Sequence, residues 1–129
     1  MKLLPTPVRF DISREKPEFQ LSYQAYLVLD SGCSRKIWRQ AKLLQKKIFH
    51  ATGFSLHLTK GKPRAGDVFL CCEQPSGMEE SGLFDCYRIR VSKQGITLCA
   101  GENAMIWAIQ TLGQILKQCG AVLPQLVVE

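Results

Sequence analysis

The stretch from Ala100 to Cys119 constrains the fold of this chain more than any other. Met105, Ala108, Ile109, Leu112, Leu116 and Cys119 recur at the three-and-four spacing of one helix face, and Ile106 and Ile115 widen it. Asn103 stands where a side-chain oxygen can cap the first turn, and Gly120 where a left-handed residue can close the last. Gln110, Thr111 and Gln114 make a polar strip opposite part of the apolar face. A helix this apolar needs a sheet to cover.

The remaining sequence supplies one. Leu3–Ile12 reads as an entry strand, with Val8, Phe10 and Ile12 alternating against Arg9 and Asp11, while Pro5 and Pro7 confine its first half to an edge. Glu18–Gln24 alternates again, placing Phe19, Leu21 and Tyr23 together, and Ala25–Leu29 is a denser strand. A first helix follows over about 34–52, with Ile37, Ala41, Leu44, Ile48 and Ala51 as its buried seam, Trp38 and Phe49 flanking it, and Gly53 ending it. Phe54–Lys60 alternates strictly, with His57 outward, and Asp67–Glu73 is the nearly continuous apolar run of a central strand. Gln74–Gly82 reads as a polar loop. Asp85–Val91 and Gly95–Ala100 form a hairpin, and Leu123–Glu129 a last strand. The expectation is a single domain over residues 1–129: an α+β two-layer sandwich, its sheet mostly antiparallel or mixed, with both helices on one face.

Composition narrows the function classes. With 129 residues, 46% of them hydrophobic and 22% charged, the chain has globular values. No apolar run approaches the roughly 20 residues that span a bilayer. The opening residues carry prolines where an export signal needs its apolar core, so no such signal is expected. The formal charge of +6 is uneven, because Arg35, Lys36, Arg39, Lys42, Lys46 and Lys47 all fall on the first helix. They read first as a solvated face, with no nucleic-acid or membrane partner expected. A binding module that uses this basic helix for a polyanion is the alternative.

Six cysteines, at 33, 71, 72, 86, 99 and 119, show no Cys-x-x-Cys spacing, and only His50 and His57 are available to join them, so no metal site is expected. Cys71, Cys86 and Cys99 lie in apolar runs as small hydrophobes. Reduced cysteines favour a reducing, cytoplasmic compartment, although sequence leaves a disulfide open. Periplasmic or secreted placement stands beside that if the chain is a piece of a longer protein.

Catalytic candidates are weak. Glu79 and Glu80 are adjacent acids in a loop, where solvation explains them. Cys33 follows a turn that reads more simply as a helix start, and His57 has no carboxylate nearby in sequence. Neither a nucleophile elbow nor a phosphate loop is present. The expectation is a non-catalytic chain with no cofactor.

Several runs in order nevertheless resemble one family. They are Leu3–Val8, Ala51–Phe54, Tyr87–Val91 with Gly95–Ala100, Trp107–Gln114 and Leu123–Glu129. Together they are similar to the N-terminal domain of glycoside hydrolase family 20, the β-N-acetylhexosaminidases. Most specific is Ala108–Gln114, Ala-Ile-Gln-Thr-Leu-Gly-Gln, beside the family's G-L-Q-T-L-x-Q helix. The family often has glycine and an aromatic before that helix core, where this chain has Ala104, Met105, Ile106 and Trp107.

The resemblance implies a sheet with two helices on one face, preceding a (β/α)8 barrel as partner in cis. In that barrel an Asp-Glu pair supports hydrolysis, with the substrate's acetamido oxygen as nucleophile. No residue here matches that pair. What the resemblance leaves to this chain is a structural role, packing on the barrel, with Gln110, Thr111 and Gln114 as the expected inter-domain interface and no glycan contact of its own.

Overall fold

The computed structural model describes residues 3, 9–72 and 86–129. The expected loop at Gln74–Gly82, the acids Glu79 and Glu80, and most of the expected entry strand before Arg9 lie outside the described residues. Among the described residues the strands are β1 (Phe10–Ser13), β2 (Phe19–Gln20), β3 (Tyr26–Leu29), β4 (His57–Lys60), β5 (Val68–Cys71), β6 (Tyr87–Ser92), β7 (Gly95–Ala100), β8 (Val122–Leu123) and β9 (Gln125–Val128). The helices are α1 (Arg35–Thr52) and α2 (Met105–Cys119).

Seven strands form one mixed sheet in the order β1-β9-β6-β7-β5-β3-β4. The half containing β4, β3, β5 and β7 is parallel, and the half containing β7, β6, β9 and β1 is antiparallel. The division follows from the connections. A parallel pair needs a crossover, which α1 provides between β3 and β4, whereas the turn at Lys93 and Gln94 can only fold β6 back onto β7. β5 lies inside the sheet between β7 and β3, as its apolar run requires. β2 and β8 pair separately, Phe19 opposite Leu123. That pairing buries Phe19, and Leu21 is buried beside it. Tyr23, expected on their side, stands in solvent because the chain turns at Tyr23–Gln24 before β3.

Both helices lie on one face of the sheet, since each touches the sheet and they touch one another. They run parallel: Lys36 near the start of α1 donates to Asn103 just before α2 (3.3 Å), and Lys47 further along lies against Gly113. Between the layers sit Leu27, Leu29, Val68, Leu70, Ile89, Ile96, Leu98 and Val128 from the sheet. They meet Ile37, Ala41, Leu44 and Ile48 from α1 and Met105, Ala108, Ile109, Leu112, Ile115 and Leu116 from α2. Each fully buried Leu, Ile, Val or Met side chain contributes about 2 kcal/mol.

The caps differ from one helix to the other. Ser34 caps α1 by accepting from the Ile37 N–H, and its hydroxyl donates to Glu102 (2.9 Å), which brings a carboxylate to a helix start that has none of its own. Gly53 closes α1 with φ 79° and donates to the Phe49 carbonyl (2.8 Å). The expected cap at Asn103 is corrected. Ala104 holds the N-cap position with helical backbone angles, and the Gly101 carbonyl accepts from the N–H groups of both Ala104 and Met105. A turn thus does the work of a side chain, and Asn103 is free to meet Lys36.

Candidate inter-domain docking face

The sheet exposes its other face, and there the charges are mostly satisfied locally. Alternation puts Arg88 and Arg90 opposite buried Ile89 and Val91, and Asp11 shares a row with Val127 and Arg90. Arg88 pairs with Glu129 (2.6 Å), and Arg9 pairs with Asp11 (2.6 Å) and reaches Glu129 (3.4 Å). The Asp11 hydrogen bond and charge push the Arg9 guanidinium above its already high value. A broad concavity of about 440 Å³ runs along this edge over Arg9, Asp11, Lys16 and Arg90. Another, of about 760 Å³, lies at the sheet's end by Tyr26, Arg64 and Asp67. The buried Asp67 carboxylate accepts there from the backbone N–H groups of Tyr26 (2.9 Å) and Arg64 (2.8 Å). The Arg64 guanidinium stacks 4.3 Å from the Tyr26 ring centre. That acid ties two loops together.

The other candidates from sequence fall apart in space. Cys33 is bonded to Cys72, Cα to Cα 5.7 Å, which removes it as a nucleophile and corrects the expectation that all six cysteines are reduced. The premise for a reducing compartment goes with it. Asp30 and Leu70 bring these cysteines together, because the Asp30 N–H donates to the Leu70 carbonyl (3.0 Å) across β3 and β5. Cys71, Cys86, Cys99 and Cys119 stay free of disulfides and partly buried, and burial pushes the Cys119 thiol up. His57 points to solvent and packs edge-on against Tyr26, 5.6 Å between ring centres. No group of three or more His, Cys, Asp or Glu converges among the described residues.

The outer surface of the helix layer has a different character. On α2, Trp107 is 49% exposed, and Gln110 and Gln114 follow it at i+3 and i+7, both half-buried. Thr111 turns inward: it is fully buried, and its hydroxyl lies 3.1 Å from the Tyr87 hydroxyl, so it has no surface to offer a neighbour. The polar strip read from sequence therefore divides, Thr111 into the core and the two glutamines outward. On α1, Leu43 is 40% exposed among Arg35, Lys36, Arg39, Lys42 and Lys46, and Phe49 and His50 are exposed near its end. Sequence reasoning missed Trp107 and Leu43 as surface groups. The spacing of Trp107 to Gln110 and Gln114 was the available signal for the first.

Two layers, a sheet face with paired charges and a helix face bearing an aromatic and a row of cations, define an α+β sandwich whose outward chemistry is a surface. The model of glycosyl hydrolase family 20, domain 2, matches residues 1–129, and the chain belongs to that family. No curated protein matches it. Solved structures share its fold. One is the N-acetyl-beta-hexosaminidase of Streptomyces plicatus in complex with Thio-NAglucal, at TM-score 0.71 and 20% identity over 97% of this chain and 25% of that one. Another is the GH20 exo beta-N-acetylglucosaminidase of Vibrio harveyi in complex with N-acetylglucosamine, at 0.63 and 21% over 98% and 18%. CpGH84D is a third, at 0.71 and 12% over 99% and 23%. The chain spans a quarter or less of each.

Proposed function

We propose that this chain is the accessory domain of a β-N-acetylhexosaminidase-like glycoside hydrolase, with a structural role: its helix layer packs on a (β/α)8 catalytic barrel in the same polypeptide. The parent enzyme removes terminal N-acetylhexosamine from glycans by substrate-assisted hydrolysis. The carrying observation is the family match over residues 1–129. The surface chemistry supports the choice of face. On the sheet face Arg9, Asp11, Arg88 and Glu129 pair with one another, whereas the helix layer exposes Trp107 and Leu43, and Arg35, Arg39, Lys42, Lys46 and Lys47 have no ion pair among the described residues. Exposed tryptophan beside half-buried glutamines suits the centre of an interface.

Association between this chain and the separately produced parent barrel, followed by sedimentation velocity and a biosensor titration, tests the reading. Trp107→Glu weakens that association by at least about tenfold, as expected for an anchor at an interface centre. A wild-type chain that sediments alone beside the barrel overturns it.

A further inference from the structure

The α1 helix carries six Lys and Arg residues and His50 over eighteen positions, and no Asp or Glu. Glu102 approaches its first turn through Ser34, and Asn103 accepts from Lys36. Among the described residues Arg35, Arg39, Lys42, Lys46 and Lys47 have no ion pair. The neighbouring α2 has one charged residue, Lys117. The outer helix layer is therefore divided, a cationic half on α1 and a nearly uncharged half on α2 around Trp107, Gln110 and Gln114. Within it the Gln40 side-chain oxygen is buried with no hydrogen-bond partner among the described residues.

Covering such a surface has a chemical condition. Removing cations from water costs several kcal/mol each unless opposite charge meets them. A neighbour that covers α1 must therefore bring carboxylates, since α1 has none. The exposed Leu43 amid these cations, and Trp107 on the uncharged half, fit an apolar centre with a charged rim. That is the anatomy of a protein contact. A single-strand binder would interleave its cations with stacking aromatics, and the exposed ring on α1, Phe49, stands at the far end from most of them.

Resting on the docking of the helix layer proposed above, we infer that the barrel surface covering this domain is acidic, with carboxylates set opposite Arg35, Arg39, Lys42 and Lys46 of α1 and an apolar recess for Trp107. The α1 cations then set orientation and the rate of encounter, and Trp107 supplies the anchor.

The test uses the 129-residue chain, its parent barrel, and the triple variant Arg39→Glu, Lys42→Glu, Lys46→Glu, with circular dichroism confirming that each chain is folded. Raising NaCl from about 50 to about 300 mM weakens wild-type association by about tenfold or more, because screening acts on rim charges. The triple reversal weakens it by about a hundredfold at the lower salt and abolishes most of the salt dependence. Association that ignores both salt and the reversal, yet is lost in Trp107→Glu, overturns the acidic-surface inference and leaves the docking reading standing. A barrel that binds none of the chains removes both. Salt-sensitive retention on heparin without barrel association also removes the inference, and assigns α1 to a polyanion.

Discussion

At the scale of single residues, two glycines show how the same substitution takes opposite signs. Gly95 has φ 143°, and a Cβ there meets the Asp67 carbonyl oxygen at 2.5 Å, where backbone cannot withdraw without breaking the loop that Asp67 ties. Gly95→Ala therefore destabilises the domain by about 3 kcal/mol, from dihedral strain and overpacking together. Gly113 has ordinary helical geometry, and its added Cβ meets the far end of the Lys47 side chain (2.9 Å to Cδ), which can swing away. Gly113→Ala stabilises by up to about 1 kcal/mol through helix propensity. Urea unfolding of both variants reads the two signs directly; a Gly95→Ala midpoint equal to wild type contradicts the steric account. Thr111 and Tyr87 give a third case. Thr111→Val leaves the Tyr87 hydroxyl without this partner, at a cost of about 1 kcal/mol, and a cycle with Tyr87→Phe recovers part of that loss.

At the scale of elements, the clearest device is the clip between the β3–α1 turn and the end of β5. The Cys33–Cys72 bond closes a loop with sequence separation 39, and a closure of that length stabilises by about 3 to 4 kcal/mol through the unfolded chain. Dithiothreitol lowers the urea midpoint of the wild type accordingly. A Cys33→Ala, Cys72→Ala double variant starts at the lower midpoint and ignores reductant. A wild type equally stable with and without reductant excludes the clip as a source of stability. This element also marks where sequence stops informing. The helix stripes were legible because buried positions 37, 41, 44 and 48 repeat at the helix period, and the β6–β7 hairpin because its turn is local. The Cys33–Cys72 pairing was not, since it depends on two strand ends meeting across β3 and β5. Nor was the cap of α2, where the Gly101 carbonyl replaces a side chain. The polar strip of α2 was half legible: Gln110 and Gln114 lie outward, while Thr111, on the same strip, is claimed by Tyr87.

At the scale of the whole molecule, the charge of α1 works against the isolated domain. Arg39, Lys42 and Lys46 stand at i−3, i and i+4, and like charges at these spacings repel by a few tenths of a kcal/mol each. Arg35 and Lys36 lie in the first turn, where the helix dipole disfavours cations. Lys42→Glu replaces two repulsions by two attractions, with the new carboxylate correctly placed one turn ahead of Lys46. The isolated variant is therefore more stable than wild type by about 0.5 to 1 kcal/mol at low ionic strength, and the advantage shrinks as salt screens it. Wild-type melting temperature rises over the same salt range. Thermal melts of both chains at low and high NaCl measure this, and a low-salt Lys42→Glu chain that melts below wild type disproves the repulsion. Under the docking proposed above, the same substitution acts in the opposite sense, removing a rim cation and slowing association. Melts of the isolated chain and association with the barrel, measured on one variant, separate what the α1 charges cost the domain alone from what the proposed contact gains from them.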